Sequence, residues 1–446
     1  MPIAAVPNYL GKDFSQASPG QRFGMYLPLW GTNQRTKELL WGTHDIVYEV
    51  RGQQAQEREI KKENKVFALN QAAALNPADK KLNQALLTRQ AQTFSAVPVA
   101  NGLCLRANAI APFTTGLGNE HPLENGFAFL NPYGLPYLPG SGVKGVLRQA
   151  ARELASGQWD SSDWSHSQDS NKRHIVQDRQ GKRLFDASDM DVLFGSMADD
   201  GKDHLRGTLS FWDVIPQIKG DCLMVEIMTP HQSHYYQPPK EGKDSGKKAA
   251  GSASPHDSGL PIPITFLTVP PGSGFAFHVV CDSTQLARLA PDLANNDRWK
   301  TLLTQAFEHA FSWIGFGAKT AVGYGAFERN TKAEAEQAEK QANAQAQASL
   351  KARLADMTAQ SRSVEEFIQV CKLRFDALRG NKEKPNAELH GKARALAKTA
   401  LESADWSAQD KRLAADAITE WLPKVVQVDM KDERKKLKLA ALRGET

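Results

Sequence analysis

The stretch "WKTLLTQAFEHAFSWIGFGAKTAVGYGAF", Trp299 to Phe327, decides the fold. Its first half carries Leu302, Leu303, Phe307, Phe311 and Ile314 at the i, i+3, i+4 type of spacing that predicts a helix with one buried face. Its second half, from Ile314, packs four glycines, a lysine and a threonine into fourteen residues. Such a loop between a helix and an apolar segment predicts a tight turn into a strand. Whether it also holds a nucleotide or RNA depends on spacing and on the rest of the chain.

Working outward, "PITFLTVPPGSGFAFHVV", Pro263 to Val280, predicts two strands divided by Pro-Pro-Gly-Ser-Gly, and therefore a hairpin. "GTLSFWDVIP" and "DCLMVEIMTPH", separated by the turn "QIKG", predict a second hairpin. Further upstream, "GLCLRANAI", Gly102 to Ile110, alternates as a half-buried strand does. "VKGVLRQAARELA" then places Val143, Val146, Leu147, Ala150 and Leu154 on one helical face. Strands interrupted by two well-separated helices predict an α+β, ferredoxin-like sandwich, an antiparallel sheet with both helices on a single face.

This core spans residues 101–328. Two polar insertions interrupt it, near 159–183 and 237–260, and neither carries enough apolar residues to fold alone. The Lys-Gly-Ser composition of the second suits a phosphate backbone as well as it suits a solvated loop. Residues 1–100 form an N-terminal segment, polar from about 52 to 95, with one or two helices and a start signal at Asn76-Pro77. From 331 to 446 the repeated amphipathic periods predict an appended helical region.

With 41% hydrophobic and 24% charged residues, the 446-residue chain has a globular composition, and no apolar run approaches the roughly 20 residues of a membrane span. The first residues lack the basic and apolar regions of a secretory signal, which predicts a cytoplasmic protein. Cys104, Cys222, Cys281 and Cys371 lie far apart and three of them sit in apolar runs, which predicts buried thiols with neither disulfide nor zinc. A net charge of +5 tolerates a polyanionic partner without demanding one.

Spacing excludes the nucleotide. A phosphate-binding P-loop needs Gly-Lys-Ser/Thr ahead of a helix, whereas Ala318 precedes Lys319 here and the helix comes first; the dinucleotide fingerprint lacks its third glycine. RNA fits better: Gly315, Gly317, Gly323 and Gly325 permit close backbone approach, Lys319 adds charge and Thr320 a hydroxyl. "GYGAF" partly matches the aromatic strand of an RNA-recognition motif through Tyr324 and Phe327. The alternative is a plain turn in which both rings pack.

A second glycine-lysine constellation, "YLPGSGVKGVLRQAARE", enters a helix N-terminus, where free N–H groups favour an anion. Gly140, Ser141 and Gly142 give the loop, and Lys144 and Arg148 lie four apart on one face. The competing reading makes Ser141 an N-cap beside solvated cations. In "MTPHQSHYYQ", His231 and His234 have the chemistry of metal ligands or a general base, and Tyr235 that of a base-stacking platform. No Cys, Asp or Glu lies in register to complete a metal site.

"GLPYLPGSGVKGVLRQAARE", "LFGS", "GTLSFWDVIP", "VEIMTPHQSHYY", "PIPITFLTV" and "GFGAKTAVGYGAF" occur in an order that resembles the RAMP (repeat-associated mysterious protein) superfamily, and within it the sixth-subunit family of type III-B CRISPR (Cmr) effector complexes. The resemblance covers about residues 100–328. It implies an RRM-derived RNA-binding core, a noncatalytic place near the 3′ end of the guide RNA, and no cofactor. Implied partners are guide and target RNA, neighbouring RAMP backbone subunits and small helical subunits, with no membrane. The enzyme alternative is a RAMP endoribonuclease that processes precursor guide RNA with His231 or His234 as base. A purely structural end-cap is the third reading.

Overall fold

The structure, a computed structural model, describes residues 2–51, 56–159, 162–165, 174–177, 180–181, 183–197, 204–229, 263–355, 357–378 and 381–445. The chain divides into two units, Met1–Glu336 and Gln337–Thr446.

At the centre of the first unit are four strands, β1 (Gly102–Ala109), β2 (Leu209–Phe211), β3 (Gly274–Cys281) and β4 (Phe327–Arg329). Helix α1 (Gly140–Ala155) lies between β1 and β2 in the chain, and α2 (Arg298–His309) between β3 and β4. The sheet order is β2-β3-β1-β4, antiparallel throughout. That order, with one helix in each β-to-β crossover, is the ferredoxin-like topology expected from the element sequence. Register explains which residues are buried. Leu105 lies opposite Phe277, Ala107 opposite Phe275 and Ala109 opposite Phe327. All six point to the same face and are almost fully buried.

That face packs against α2 and the π-turn that follows it, Ala310–Ile314. Phe277 is the hub, with ring centroids of Phe307, Phe311 and Phe316 at 5.3, 5.4 and 5.0 Å. Val143, Leu147 and Leu154 of α1 join the same core. Such buried rings dominate core energetics because each removes a large apolar area from water.

Both expected hairpins are corrected. Met224–Met228 pairs with Ile264–Thr268, while β2 and β3 pair with each other. The strands were visible from their alternation, but alternation does not name the partner. Gln217 bridges to Gly274, and Phe113 to Val269, so each connection carries the chain from the ribbon to the main sheet instead of folding it back. Pro270 and Pro271 supply no N–H groups for a tight turn there.

The N-terminal segment holds a short helix, Pro19–Gly24, two longer ones, Lys65–Ala73 and Pro77–Ser95, and a ribbon, His44–Arg51 with Gln56–Glu63, that periodicity did not separate from them. Asn76 caps the longer helix through a reciprocal capping box with Asp79, and Pro77 takes its first position. This helix covers the second face of the sheet. Phe94 packs tilted against His278 at 4.7 Å and meets Trp212 edge-on at 5.6 Å, and Asn83 donates to Pro216 O.

The described parts of the insertion near 159–183 pack into the main core instead of forming one of their own. Trp164 is fully buried and donates from Nε1 to Leu302 O at 2.9 Å, and Val176 lies in a two-stranded ribbon, His174–Gln177 with Arg183–Ala187. A single tryptophan buries as much as several small residues, which an average over a polar run conceals. The insertion near 237–260 lies outside the described residues. Of the cysteines, Cys281 and Cys371 are buried and Cys104 half-buried, while Cys222 is exposed; all four are free. Burial pushes the thiols of Cys104, Cys281 and Cys371 up to about 11.

The boundary between units falls inside α3 (Thr331–Ala355). The second unit adds α4 (Ala359–Leu378), α5 (Glu388–Glu402), α6 (Ala408–Val425), α7 (Met430–Lys436) and α8 (Leu439–Arg443). They enclose a core of their own around Phe367, Cys371, Leu396, Ile418 and Leu422. Among the described residues no helix is long and apolar enough to cross a membrane.

Candidate nucleic-acid interface

The two glycine-lysine stretches meet different fates. The helix α1 starts at Gly140, with Pro139 and not Ser141 at its N-cap. Its first N–H already has an anion: Gly140 N donates to Asp213 Oδ1 at 2.7 Å. The expected phosphate position is therefore occupied by the protein's own carboxylate, delivered from the end of β2. Ser141 and Gly142 are exposed. Lys144 and Arg148 are half-buried, with no ion-pair partner among the described residues, and Arg148 Nε is shut off from solvent without a hydrogen-bond partner.

One turn further lies Arg152, exposed and likewise unpaired, so Lys144, Arg148 and Arg152 form an i, i+4, i+8 cationic stripe. The helix ends against α2. Glu153 Oε2 lies 2.7 Å from His309 Nε2, Trp159 packs on the His309 ring at 4.4 Å, and Trp313 is 5.1 Å from Trp159. Burial raises the Glu153 carboxyl, but the hydrogen bonds from His309 and Gln149 outweigh it and hold the group ionised. Trp313 sits on the π-turn with 69% of its surface exposed, an unusual position for a tryptophan. The spacing that revealed Lys144 and Arg148 also marks Arg152. Trp313 falls off the apolar stripe that spacing marks, but nothing in the sequence singles its ring out as a contact surface.

The loop Gly315–Phe327 is latched. The N–H groups of Gly315, Phe316, Ala318, Val322, Gly323, Tyr324 and Gly325 all donate to carbonyls of the protein. Gly317 and Gly325 have φ of 91° and 68°, and a Cβ on either would run into Thr114 O or Phe316 O. Lys319 takes the left-handed conformation, φ 59°, and its Nζ lies 3.4 Å from Met228 Sδ and 5.0 Å from the Phe266 ring centre. Burial there pulls its amine below the usual lysine range. Thr320 opens a short 3-10 turn ending at Gly323, half-buried. Tyr324 reaches Glu226 Oε2 at 3.4 Å; burial, then that carboxylate, raises its phenol. Phe327 is 2% exposed inside the aromatic core, not on an open sheet face.

His231, His234 and Tyr235 lie outside the described residues. Among the described residues no group of three or more His, Cys, Asp or Glu is placed to hold a metal ion. The two glycine-lysine stretches are not brought together. One enters at the β2 edge of the sheet and the other at the β4 edge, three strand spacings of about 4.8 Å apart.

The sequence model of the RAMP superfamily matches residues 106–328, from β1 to β4, and the chain belongs to that superfamily. Within it, the chain is similar to the CRISPR system Cmr subunit Cmr6 of Pyrococcus furiosus, 28% identical over 240 residues. The match covers 47% of this chain and 63% of that relative's length. Among solved structures, the type III-B Cmr-beta complex bound to cognate target RNA includes a chain 16% identical, with a TM-score of 0.35, over 59% of this chain and 69% of its own. The crystal structure of Cmr6 from Pyrococcus furiosus gives 24% identity and a TM-score of 0.26, over 51% and 98%.

Proposed function

We propose that this chain is a noncatalytic RNA-binding subunit of a type III-B CRISPR effector complex in the cytoplasm, placed near the 3′ end of the guide RNA beside RAMP backbone and small helical subunits. The observation that carries the reading is the unpaired stripe Lys144, Arg148 and Arg152 on a RAMP core similar to a Cmr subunit. Three cations without acidic partners on one helix face suit a run of phosphates, and contacts to phosphate position RNA without reading its sequence. Base pairing between guide and target does the reading. The exposed Trp313 ring, near the C-terminal end of the stripe, offers a stacking surface for a base. The glycine loop's part is to hold the β4 edge rigid, with Lys319 turned inward.

The test is RNA binding by the full chain carrying Lys144→Glu, Arg148→Glu and Arg152→Glu. At about 0.7 of salt slope per single-strand phosphate contact, the wild type loses about 20-fold more affinity than the variant between 50 and 200 mM salt. Equal losses would sink the assignment of the stripe. Product formed from labelled repeat RNA, and abolished by His231→Ala or His234→Ala, would overturn the noncatalytic reading. Lys319→Met is expected to leave the salt slope unchanged.

A further inference from the structure

The chain's net charge is unevenly placed. Residues 1–336 carry 34 Lys and Arg against 34 Asp and Glu, whereas residues 337–446 carry 21 against 16, so the whole excess of +5 belongs to the second unit. Within that unit the excess concentrates at the C-terminal end, where Met430–Arg443 holds six basic residues against two acidic ones.

Folding sorts these charges. Glu433 and Leu437 are buried and Met430 half-buried, at positions i+3, i+7 and i of one inward face. Glu433 is consumed there, 3.1 Å from His390 Nε2 and 3.2 Å from Lys436 Nζ. Because Asn386 N donates to His390 Nδ1, the imidazole proton sits on Nε2 and is given to Glu433. One of the segment's two acids is thus internalised. Outward lie Lys431, Arg434 and Lys435, at i, i+3 and i+4 of the helix, and Lys438 just past its end in the left-handed conformation, all exposed and without an ion-pair partner among the described residues.

We infer that this stripe on α7 is a nucleic-acid backbone contact, separate from the RAMP core and standing on its own whether or not the core stripe binds RNA. Its helical part, Lys431 to Lys435, rises about 6 Å, and Lys438 extends the basic surface past the helix end, enough to meet neighbouring phosphates of one strand. Three of its four members are lysines, and no exposed large apolar side chain lies within Met430–Arg443. Protein interfaces are depleted in lysine and built around aromatic or apolar anchors, so the composition fits a polyanion and not a protein surface. Cations in the last turn also favour the helix dipole, but that does not account for Lys431 in the first turn or Lys438 beyond the end.

The experiment uses the full chain with Lys431, Arg434, Lys435 and Lys438 all changed to Glu, and a second variant with all four changed to Gln. Binding to a fluorescein-labelled 30-mer of uridine is followed against salt, in wild-type and in Lys144→Glu/Arg148→Glu/Arg152→Glu backgrounds. Four contacts predict that the parent loses about 50-fold more affinity than either α7 variant between 50 and 200 mM salt, in both backgrounds. Thermal unfolding of the second unit is expected to be unchanged, since the four side chains are exposed. A salt slope unaffected by the α7 changes overturns the inference while leaving the core assignment standing. Equal binding of poly-glutamate, lost in the same variants, overturns it in favour of an acidic protein partner. The Gln variant keeps the test decisive if charge reversal disturbs folding.

Discussion

The two faces of the four-stranded sheet solve different problems. One is a closed aromatic layer, with Phe275, Phe277 and Phe327 set against Phe307, Phe311 and Phe316. The other carries Cys104, Arg106, Asn108 and His278, and is roofed by the N-terminal helix Pro77–Ser95. In an RNA-recognition motif the face opposite the helices is open and displays aromatic rings to bases. Here it has no strand aromatic to display. Between β1, β3 and the roof remains a cavity of about 80 Å³, lined by Leu87, Arg106, Asn108, Gln217 and Asn330 among others, and Arg106 Nε is buried beside it without a partner. The fold has kept the topology and given up the platform, which moves the candidate RNA surface from the sheet to the helix α1.

The largest test of this contrast is Phe277→Ala. If the aromatic face holds the unit together, losing the hub ring costs about 3–5 kcal/mol, read as a lower urea midpoint for the first unit's transition. A change on the other face, Asn108→Ala, at an exposed position near the C-terminal end of the inner strand β1, stays within about 0.5 kcal/mol. Equal costs would erase the distinction between the faces.

A second test uses pH. Burial, and then the Arg106 charge, hold His278 down at about 4. The unfolded chain, with an ordinary value near 6.5, takes the proton first, so stability is fully present above pH 6.5 and falls as the pH drops toward 4. Linkage makes the full loss about 3 kcal/mol. Unfolding measured at pH 7, 5.5 and 4.5 is expected to show this slope in the wild type and a flatter one in His278→Phe. A slope that survives the substitution would assign it to carboxylates instead of the polar face.

How much of this was legible follows from the same comparison. "GFAFHVV" announced the aromatic face through period-2 alternation, and the helix "WKTLLTQAFEHAF" announced what covers it, because burial repeats with the geometry of the element. His278 stands in that strand but off the apolar period, and the roof that buries it comes from residues almost two hundred positions earlier. No local pattern carries that distance. Likewise the glycine loop's turn was visible in its composition, whereas Lys319 needed Met228 and Phe266 from the ribbon before its inward turn became apparent. Lys144 and Arg148 were readable from spacing, but Asp213, which fills the helix N-terminus beside them, arrives from seventy residues away.

Asp213 marks the edge where the two faces meet, and it gives the smallest of the effects. Its carboxylate caps α1, while its carbonyl accepts from Gln90 of the roofing helix at 2.6 Å. Asp213→Ala removes the cap at a cost of about 1 kcal/mol. It leaves the carbonyl and the roof in place, so the pH slope of His278 is expected to be unchanged. With the carboxylate gone, the free Gly140 N–H and the helix dipole become available to a dissolved anion. Sulfate at constant ionic strength is then expected to recover part of the lost stability in Asp213→Ala and none in the wild type. Equal recovery in both would mean that the N-terminus of α1 is open already and that phosphate could enter where the carboxylate now sits.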